Sequence, residues 1–467
     1  MNMNSGRNFL KSNQPSINFR SATLHTVASP LPHRDLSRRS FIRKTAATAA
    51  GLSVAGAIPS LLAKPNKVHL PKPKNSGIEH IVVVMMENRS FDHFLGWLPG
   101  ADGRQAGLTY RDKMNNPHMT HRLGPTDYQG CGFNDPDHSY DGARVEYDNG
   151  LCDGWLKAGM NDDYCIGYYT ADDLDFFRGA APAWTTCDRY FAAILAGTFP
   201  NRFYQHAAQT DRLDDSILPF STLPTIWDRI AAAGLDGKYY YSDAPFLALW
   251  GTTYLGISHP IGDFFTDCAN GTLPDVAYVD PKFLFELQGL SNDDHPHADI
   301  RNGEAFLNSI YEAVTASPNW PSTVLVINYD EWGGFFEHVP PTTAPIPPAD
   351  AALGSDGRRG FRVPALVISP WAPRRTVDHT LFDHTSILNM IEWRFGLDAL
   401  SVRDASANNL AEALEFSGNP HKRLEVPHFN VPAGDFGGAC PIITGAQNDN
   451  MLALLEMAGE LGFKVGV

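Results

Sequence analysis

The 467-residue sequence lacks the motifs that mark several common enzyme classes. It contains no GxSxG turn, no HExxH helix and no Gly-rich phosphate loop, which argues against a lipase-like serine hydrolase, a zinc protease and a nucleotide-driven enzyme. The six cysteines form no CxxC pair, so a zinc-thiolate site is not expected. Beyond residue 63, no segment reaches the roughly 18 apolar residues that a membrane-spanning helix needs.

Positive charge is scarce over most of the chain. The formal net charge is -15, but residues 1–63 hold eight Lys and Arg against one acid, which leaves 29 basic and 51 acidic residues and a net charge of -22 for the remainder. A body of this charge repels polyanions over a Debye length, so we expect no nucleic-acid partner. With 43% hydrophobic residues, the chain can bury a large core.

The basic leader ends in SRRSFIRKTAATAAGLSVAGAIPSLLA, residues 37–63. An arginine pair, an apolar stretch and small residues suited to cleavage near Ala57 or Ala63 resemble a twin-arginine export signal. The alternative is a short membrane anchor, but the stretch is short and rich in small residues. We therefore expect residues 1–63 to engage the twin-arginine export machinery, and the protein to be periplasmic or secreted.

The rest of the chain reads as a linker and one large domain. Residues 64–77 are rich in Lys and Pro, as a linker is, and residues 78–467 contain no further linker-like segment. Residues 100–185 show little periodicity and predict a loop-rich insertion or lid. After export, one or two disulfides are plausible within the cysteines of residues 131–187, but their spacing does not define a pairing.

Three apolar runs, residues 78–88, 322–331 and 361–370, predict buried parallel strands. Residues 201–211, 303–314 and 384–395 carry helical spacing. This alternation indicates an α/β fold with a mostly parallel central sheet and helices on both faces.

Two of the apolar runs finish with acids. Glu87-Asn88 and Asp330-Glu331 follow predicted strands, and ligands of open α/β sheets bind beyond the carboxyl ends of strands. Three carboxylates and an amide oxygen suit a divalent cation. Ordinary acids in turns or ion pairs are the alternative for either pair alone, but the two pairs together favour a metal.

Thr198 precedes a Pro-containing helix start in GTFPNRF. A hydroxyl at this position lies near unsatisfied backbone N–H groups and the positive end of the helix dipole, which favours an alkoxide and a phosphate. The alternative is a simple N-cap. Among the histidines, His295 and His297 lie between aspartates and are candidates to bind or protonate a phosphate oxygen. We expect His379 and His384 to cap the following helix, and His93 to orient the Glu87-Asn88 loop.

Five motifs, in order within residues 78–397, resemble the bacterial phospholipase C and acid phosphatase family of phosphoesterases, which also includes plant non-specific phospholipases C. They read MMENRSFDHFLG (85–96), GTFPNR (197–202), SNDDHPHAD (291–299), NYDEWGGFFEHVPP (328–341) and RVPALVISPWA (362–372). The family belongs to the alkaline-phosphatase-like superfamily, whose α/β fold agrees with the strand pattern.

The resemblance implies roles for individual residues. Thr198 matches the nucleophile, which contacts the metal and is transiently phosphorylated. His138 and His295 match histidines around the phosphate, and Asn201 is expected to donate to a phosphate oxygen. Trp332 stands where many relatives have a histidine. The implied ligands of one divalent metal ion, whether Ca, Mg, Mn or Zn, are Glu87, Asn88, Thr198, Asp330 and Glu331.

We therefore expect an exported, metal-dependent phosphoesterase that hydrolyses glycerophospholipid head groups as a phospholipase C does. Its alternatives are a broad-specificity acid phosphatase acting on phosphomonoesters and, in another class, a non-catalytic surface binding protein that keeps the fold. The expected substrate is thus a phospholipid or a phosphomonoester, with at most transient contact with a membrane surface.

Overall fold

The computed structural model describes residues 70–417, 424–441 and 449–465. All of them belong to one compact unit, Pro65–Val467. The predicted export signal lies outside the described residues, as do residues 64–69 of the predicted linker; within the rest of that linker, Pro73–Asn75 form a 3-10 turn. No helix of the described ranges is long and apolar enough to cross a membrane.

The described residues form an eight-stranded central sheet and three small two-stranded sheets. The strands are β1 His80–Met86, β2 Thr109–Arg111, β3 Pro117–Met119, β4 His121–Arg122, β5 Gly167–Tyr168, β6 Thr185–Cys187, β7 Tyr190–Phe191, β8 Gly237–Tyr241, β9 Ser258–Pro260, β10 Val276–Val279, β11 Thr323–Tyr329, β12 Ala365–Ile368, β13 Thr376–Asp378 and β14 Phe382–Asp383. The order in the central sheet is β13-β6-β12-β11-β1-β10-β8-β9.

The central sheet is mostly parallel, as predicted. Each neighbouring pair in the series β11, β1, β10, β8 and β9 is parallel. Strand β12 is the exception, because it runs antiparallel to both β11 and β6. The expectation that the run 361–370 forms a parallel strand is therefore wrong. The chain returns from the carboxyl end of β11 without a long crossover helix, and such a return produces an antiparallel neighbour.

Helices flank the sheet. They are α1 Phe91–Leu95, α2 Tyr140–Tyr147, α3 Asp175–Ala183, α4 Thr198–Ala207, α5 Ile226–Ala232, α6 Ile261–Asn270, α7 Ile300–Ala316, α8 Pro348–Ala352, α9 His384–Phe395, α10 Val402–Ser406 and α11 Asp449–Leu461. Helix α4 packs against α9, and α7 packs against α3 and α6. The apolar runs of β1 and β11 are buried along nearly their whole length, which places the core at the centre of the sheet.

The predicted insertion is less irregular at its end than expected. Helix α3 lies within residues 100–185 and packs on α7, and strand β6 of the central sheet begins at residue 185, so the end of this region belongs to the main fold rather than to a lid. The remainder has its own small apolar core, in which Trp155 packs on Phe361. Trp332 joins this core and donates to Glu146 Oε2 at 2.8 Å. The tryptophan that replaces a histidine of many relatives is therefore a packing residue.

The disulfide in the structure joins Cys131 to Cys440. The expectation of bridges within residues 131–187 is wrong, since Cys152, Cys165 and Cys187 are buried free thiols. The segment before Cys440 returns across the insertion, where Gln129 exchanges two hydrogen bonds with Gly438. A pairing across 309 residues of sequence cannot be inferred from cysteine spacing.

Candidate active site

The two predicted acid pairs meet at one edge of the sheet. Strands β1 and β11 are parallel neighbours in which Met86 pairs with Tyr329, so the residues after both strands emerge side by side. The backbone N–H of Asn88 donates to Asp330 Oδ1 at 3.1 Å. Asn88 has a φ of 60°, and Gly333 lies so close to its carbonyl oxygen that a Cβ at Gly333 would clash. Strand pairing and a tight loop thus bring the pairs together.

Thr198 is the first residue of α4 and is almost fully buried. The N-cap is Gly197, so the threonine does not cap the helix. Instead, its Oγ1 lies 3.4 Å from Asn88 Oδ1. The other end of the same amide, Asn88 Nδ2, lies 3.3 Å from His138 Nε2. Asn88 therefore links the expected nucleophile to one of the expected phosphate histidines.

Arg202 is a component of the site to which the sequence motifs assigned no role. Its guanidinium lies 3.1 Å from Glu87 Oε1, 3.2 Å from Asp330 Oδ2 and 3.0 Å from Asp280 Oδ1. Thr198 and Arg202 are four residues apart on α4 and therefore share a helix face. That spacing is the sequence signal that would have indicated a cation next to the acids.

Asn201 has a different role from the one expected. Its side chain is buried, its Oδ1 accepts from the N–H of Ile194, and its Nδ2 donates to the carbonyl oxygens of Ile194, Ala196 and Gly197. These bonds hold the loop that presents Thr198. The predicted donation to a phosphate oxygen is not supported, because the amide is fully used by the loop.

Burial and mutual repulsion raise the pKa of the clustered carboxyl groups. Burial raises the pKa of Glu331 to about 8, with Asp330 adding to the rise and His138 opposing it. Burial raises the pKa of Asp330 to about 6 against the attraction of Arg202. The pKa of Glu87 is also well above its usual value, again chiefly through burial. The single guanidinium of Arg202 therefore does not offset the repulsion among these three carboxyl groups.

The predicted metal ligands fit a divalent cation. Among the described residues, Glu87 Oε2 and Glu331 Oε1 are buried and have no hydrogen-bond partner. An unpaired buried carboxylate oxygen is unfavourable. A hard divalent cation prefers a set of carboxylate, amide and hydroxyl oxygens of the kind that Asn88 and Thr198 complete. The unpaired oxygens are the structural reason to place a metal here.

His138 lies at the border of this cluster. Its Nδ1 donates to the carbonyl oxygen of Pro136 at 2.7 Å, which turns Nε2 toward Asn88. Burial by itself lowers the pKa of His138, but Glu331 and Asp135 outweigh it and raise the pKa to about 9.

His295 approaches from the opposite loop, with its ring 5.8 Å from that of His138. Its Nδ1 lies 3.3 Å from Glu286 Oε2 and 3.0 Å from the carbonyl oxygen of Pro296. Burial opposes protonation, but Glu286 and Asp135 hold the pKa of His295 well above its ordinary value. Asp135, His138 and His295 also offer ligand atoms within 4.8 Å of one another.

The remaining predicted histidines serve the scaffold. His297 Nε2 bonds the carbonyl oxygen of Phe133 at 3.0 Å, so this nitrogen is used by the insertion and a phosphate contact stays a prediction. His93 bonds Arg89 at 3.0 Å, and the Arg89 backbone N–H donates to the backbone carbonyl oxygen of Glu331, so His93 does support the loop after β1.

The predicted helix caps are wrong for both His379 and His384. The N-cap is Asp383. His384 Nε2 donates to the carbonyl oxygen of Asp330 at 2.7 Å, and His379 pairs with Asp188. Because β14 carries Asp383 directly into the helix, the acid takes the capping position.

A cavity of about 550 Å³ opens beside His138 and Gly197. Its wall carries five aspartates, Asp135, Asp137, Asp141, Asp214 and Asp215. Tyr140 also lines it, but the Arg144 guanidinium lies 3.2 Å above that ring and covers it. Most other aromatics of the insertion are buried in packing, so charge rather than an aromatic cage characterises this entrance.

Residues 78–398 match the Phosphoesterase family. The chain belongs to this family. Phospholipase C B of Mycobacterium tuberculosis strain H37Rv is 32% identical to this phosphoesterase over 489 aligned positions, covering 87% of this chain and 91% of the relative. Non-specific phospholipase C4 of Arabidopsis thaliana is 31% identical and covers 72% of each chain.

A solved structure of an alkaline phosphatase superfamily protein from Vibrio parahaemolyticus aligns with 70% of each chain, at a TM-score of 0.33 and 10% identity. That similarity is too low to match individual residues. Family membership and the phospholipase C relatives make the protein a phosphoric ester hydrolase.

Proposed function

We propose that this phosphoesterase is an exported, metal-dependent enzyme that uses Thr198 as its nucleophile and hydrolyses glycerophospholipid head groups in the manner of phospholipase C. The observation that carries the proposal is the position of Thr198 Oγ1. It lies at the N-terminus of α4 beside Asn88, within a buried carboxylate cluster that has two unpaired oxygens. A hydroxyl in such surroundings is suited to attack phosphorus.

Glu87, Asn88, Thr198, Asp330 and Glu331 would hold the metal. A bound divalent cation supplies Lewis-acid chemistry, which lowers the pKa of a hydroxyl and offsets charge on phosphoryl oxygens. Which cation is bound, whether Ca, Mg, Mn or Zn, is not defined by this oxygen-rich set.

The reaction consists of two displacements at phosphorus. Thr198 Oγ1 attacks, the bond between phosphorus and the leaving alcohol breaks, and the phosphoryl group is carried on Thr198. His295, whose raised pKa keeps it protonated at neutral pH, donates a proton to the leaving oxygen. In the second step water attacks the phosphorus and gives a proton to the deprotonated His295. The bond between phosphorus and Thr198 Oγ1 breaks, which releases the phosphorylated head group and regenerates the threonine. His138 and the helix N-terminus stabilise the charge that develops on the phosphoryl oxygens.

The aspartate-lined cavity favours the phospholipase C hypothesis over the acid phosphatase alternative. Five aspartates repel a doubly charged phosphomonoester but attract the ammonium group of a zwitterionic head group. The similarity to phospholipases C of M. tuberculosis and A. thaliana supports the same choice. Family membership argues against the non-catalytic alternative.

Export through the twin-arginine pathway, and hence a periplasmic or secreted location, forms part of the proposal. It rests on the sequence of residues 37–63. The Cys131–Cys440 disulfide supports it, because such bridges persist in oxidising compartments.

The test compares wild type, Thr198→Ala and Thr198→Ser on phosphatidylcholine and p-nitrophenyl phosphate, with and without a chelator. We expect Thr198→Ala to lose on the order of 10³-fold or more in kcat, since loss of a nucleophile disables the whole catalytic unit. Thr198→Ser, which keeps the hydroxyl, should retain measurable turnover. Full activity of Thr198→Ala would refute the nucleophile, equal turnover of both substrates by wild type would refute the phospholipase preference, and indifference to metal removal would refute the metal.

A further inference from the structure

The loop Lys282–Asn292 carries the acid that contacts His295. Its ends are closed by two hydrogen bonds, from Lys282 N–H to Asn292 Oδ1 at 2.6 Å and from Asn292 N–H to Lys282 O at 3.0 Å. Phe285 within the loop has a φ of 67°, and Glu286 follows it in a short 3-10 turn. The loop is therefore a compact, closed unit that presents Glu286 toward the active site.

Glu286 is a buried acid with few polar partners for its carboxylate. Only 8% of the residue is exposed, its Oε2 lies 3.3 Å from His295 Nδ1, and its Oε1 has no hydrogen-bond partner. Within the described ranges, no Lys or Arg forms an ion pair with it. A buried carboxylate in this state is unfavourable for folding, so packing does not explain it. Because Glu286 and Pro296 both occupy the Nδ1 side, His295 is left with Nε2 for the reaction.

The disulfide secures this loop from outside. The backbone N–H of Cys440 donates to the carbonyl oxygen of Leu287 at 2.6 Å. Gln129, two residues before Cys131, donates to the carbonyl oxygens of Glu286 at 3.4 Å and Gly438 at 2.8 Å. The Cys131–Cys440 bond thus joins the two segments that hold Glu286 and Leu287 in place.

Close backbone contact reinforces the same arrangement. A Cβ on Gly289 would lie 2.5 Å from the Gly438 nitrogen, so the loop touches the C-terminal segment at a point where it cannot carry a side chain. Asn302 of α7 donates to the carbonyl oxygens of Gly289 at 3.2 Å and Phe436 at 3.1 Å. The disulfide is therefore one of several restraints, and its loss should loosen the loop rather than unfold it.

We propose that Glu286 positions the imidazole of His295 and that the Cys131–Cys440 disulfide restrains the loop that carries Glu286. The proposal rests on the proposed role of His295 as the proton donor of the phosphoesterase reaction. Glu286 does not touch the substrate; it fixes the imidazole through Nδ1 so that Nε2 carries the proton toward the leaving oxygen, as a carboxylate orients a histidine in other hydrolytic sites.

Other charged groups also act on His295 and must be constant in any test. Asp135 and His138 lie in the insertion, Glu87 and Glu331 follow β1 and β11, Asp215 follows α4, and Asp293 lies in the same loop as His295. None of them reaches Nδ1 by a hydrogen bond in the described ranges, whereas Glu286 lies within ion-pair distance of it. Changing Glu286 alone therefore isolates its contribution.

The experiment uses Glu286→Gln, which keeps the shape of the side chain but removes its charge. We expect kcat on phosphatidylcholine to fall about 10- to 100-fold, part of the contribution of a general acid, with KM within about 2-fold. The alkaline limb of the kcat profile should move to lower pH, because the imidazolium loses its carboxylate partner. Glu286→Asp should recover part of the loss, and Glu312→Gln on α7 serves as the matched control with wild-type behaviour.

The disulfide is tested with Cys131→Ser/Cys440→Ser, with the buried free thiol variant Cys268→Ser as control. We expect a smaller loss of kcat in the same direction, roughly 3- to 10-fold, because the other restraints remain. Wild-type kcat and an unmoved alkaline limb in Glu286→Gln would overturn the role of Glu286. Wild-type behaviour of the double variant would overturn the role of the disulfide.

A readout without substrate separates this proposal from the proposed function. The NMR titration of the His295 ring, assigned with His295→Gln, should shift to lower pH in Glu286→Gln and in the double cysteine variant. If wild type hydrolyses no phosphoester, the proposed function fails, yet the titration still decides whether Glu286 controls His295. An unchanged titration in both variants would refute the inference even in an active enzyme.

Discussion

Two buried acid clusters in the same compact unit have opposite character. The first cluster holds the proposed metal ligands Glu87, Asp330 and Glu331. Arg202 contacts Glu87 and Asp330 but is shared with a further acid, and two carboxylate oxygens of the cluster lack partners.

In the second cluster, which we call the Arg362 cluster, Asp92, Glu337 and His338 surround Arg362. Its guanidinium lies 2.7 Å from Glu337 Oε1 and 3.3 Å from Asp92 Oδ1. His338 Nδ1 lies 2.6 Å from Asp92 Oδ2, and the backbone N–H of Asp92 donates to Glu337 Oε2. Every oxygen of these two acids has a partner.

The difference shows what identifies a metal site in a buried acid cluster. One glutamate in each cluster shifts in the same direction: burial raises the pKa of Glu337 to about 7 and that of Glu331 to about 8. The ligand atoms of Asp92, Glu337 and His338 even lie within 4.8 Å of one another. Close ligand atoms and a raised pKa therefore do not mark a metal site by themselves. The two clusters differ in their unpaired oxygens, Glu87 Oε2 and Glu331 Oε1, which have no counterpart on Asp92 or Glu337.

The largest expected effect comes from exchanging one acid in each cluster. Glu331→Gln should lower kcat on the order of 10²- to 10³-fold and reduce the bound metal, because it removes transition-state charge stabilisation. Glu337→Gln should keep the metal but lose about 3–5 kcal/mol of stability, because Arg362 loses its closest partner in a buried site. Elemental analysis, activity and urea unfolding of both variants measure this. Metal loss in Glu337→Gln with intact stability would reverse the comparison.

A second prediction concerns the pH dependence of the metal-free protein. A carboxyl whose folded pKa is raised holds a proton that the unfolded chain has already released, so folding stability falls as pH rises between the two values. For Glu331 this window runs from its ordinary value of 4.5 to about 8. With a chelator present, Tm should therefore fall from pH 5 to pH 8, and the fall should be shallower in Glu331→Gln. Identical slopes in the two proteins would show that Glu331 is not the source.

The smallest effect is expected at the exposed acids of the entrance, which belong to neither cluster. Asp141→Asn should raise KM for phosphatidylcholine by about 2-fold at low salt and have no effect at high salt, because dissolved ions screen exposed charges. Metal content and stability should stay unchanged. Asp172→Asn, an exposed acid that does not line the cavity, is the control. Equal KM changes in both variants would indicate a general charge effect rather than a local one.

The sequence predicted those parts of the site that follow strand periodicity. The ends of β1 and β11 could be located because each apolar run is buried and stops at polar residues, and parallel neighbours expose their carboxyl ends together. Thr198 could be recognised because Gly197 and Pro200 mark a helix start. Arg202 was within reach of the same argument, since its spacing from Thr198 is helical.

Other features depended on contacts that no local pattern encodes. Asn201 lies in the correct motif, but whether its amide faces a ligand or folds back on residues 194–197 depends on the loop conformation. The direction of β12 depended on the path of a connection without a crossover helix. The N-cap is Asp383 rather than the predicted His384, because a short strand leads directly into the helix.

The sequence alone therefore determined the α/β class and the family, and it indicated the acids, hydroxyl and histidines of the proposed reaction, because periodicity and motif order are local properties of the chain. Only the tertiary structure decided which buried oxygens remain unpaired, that Glu286 contacts His295, and that Cys131 pairs with Cys440. These depend on long-range packing, which brings together residues far apart in the chain and determines which polar atoms lose water without gaining a partner.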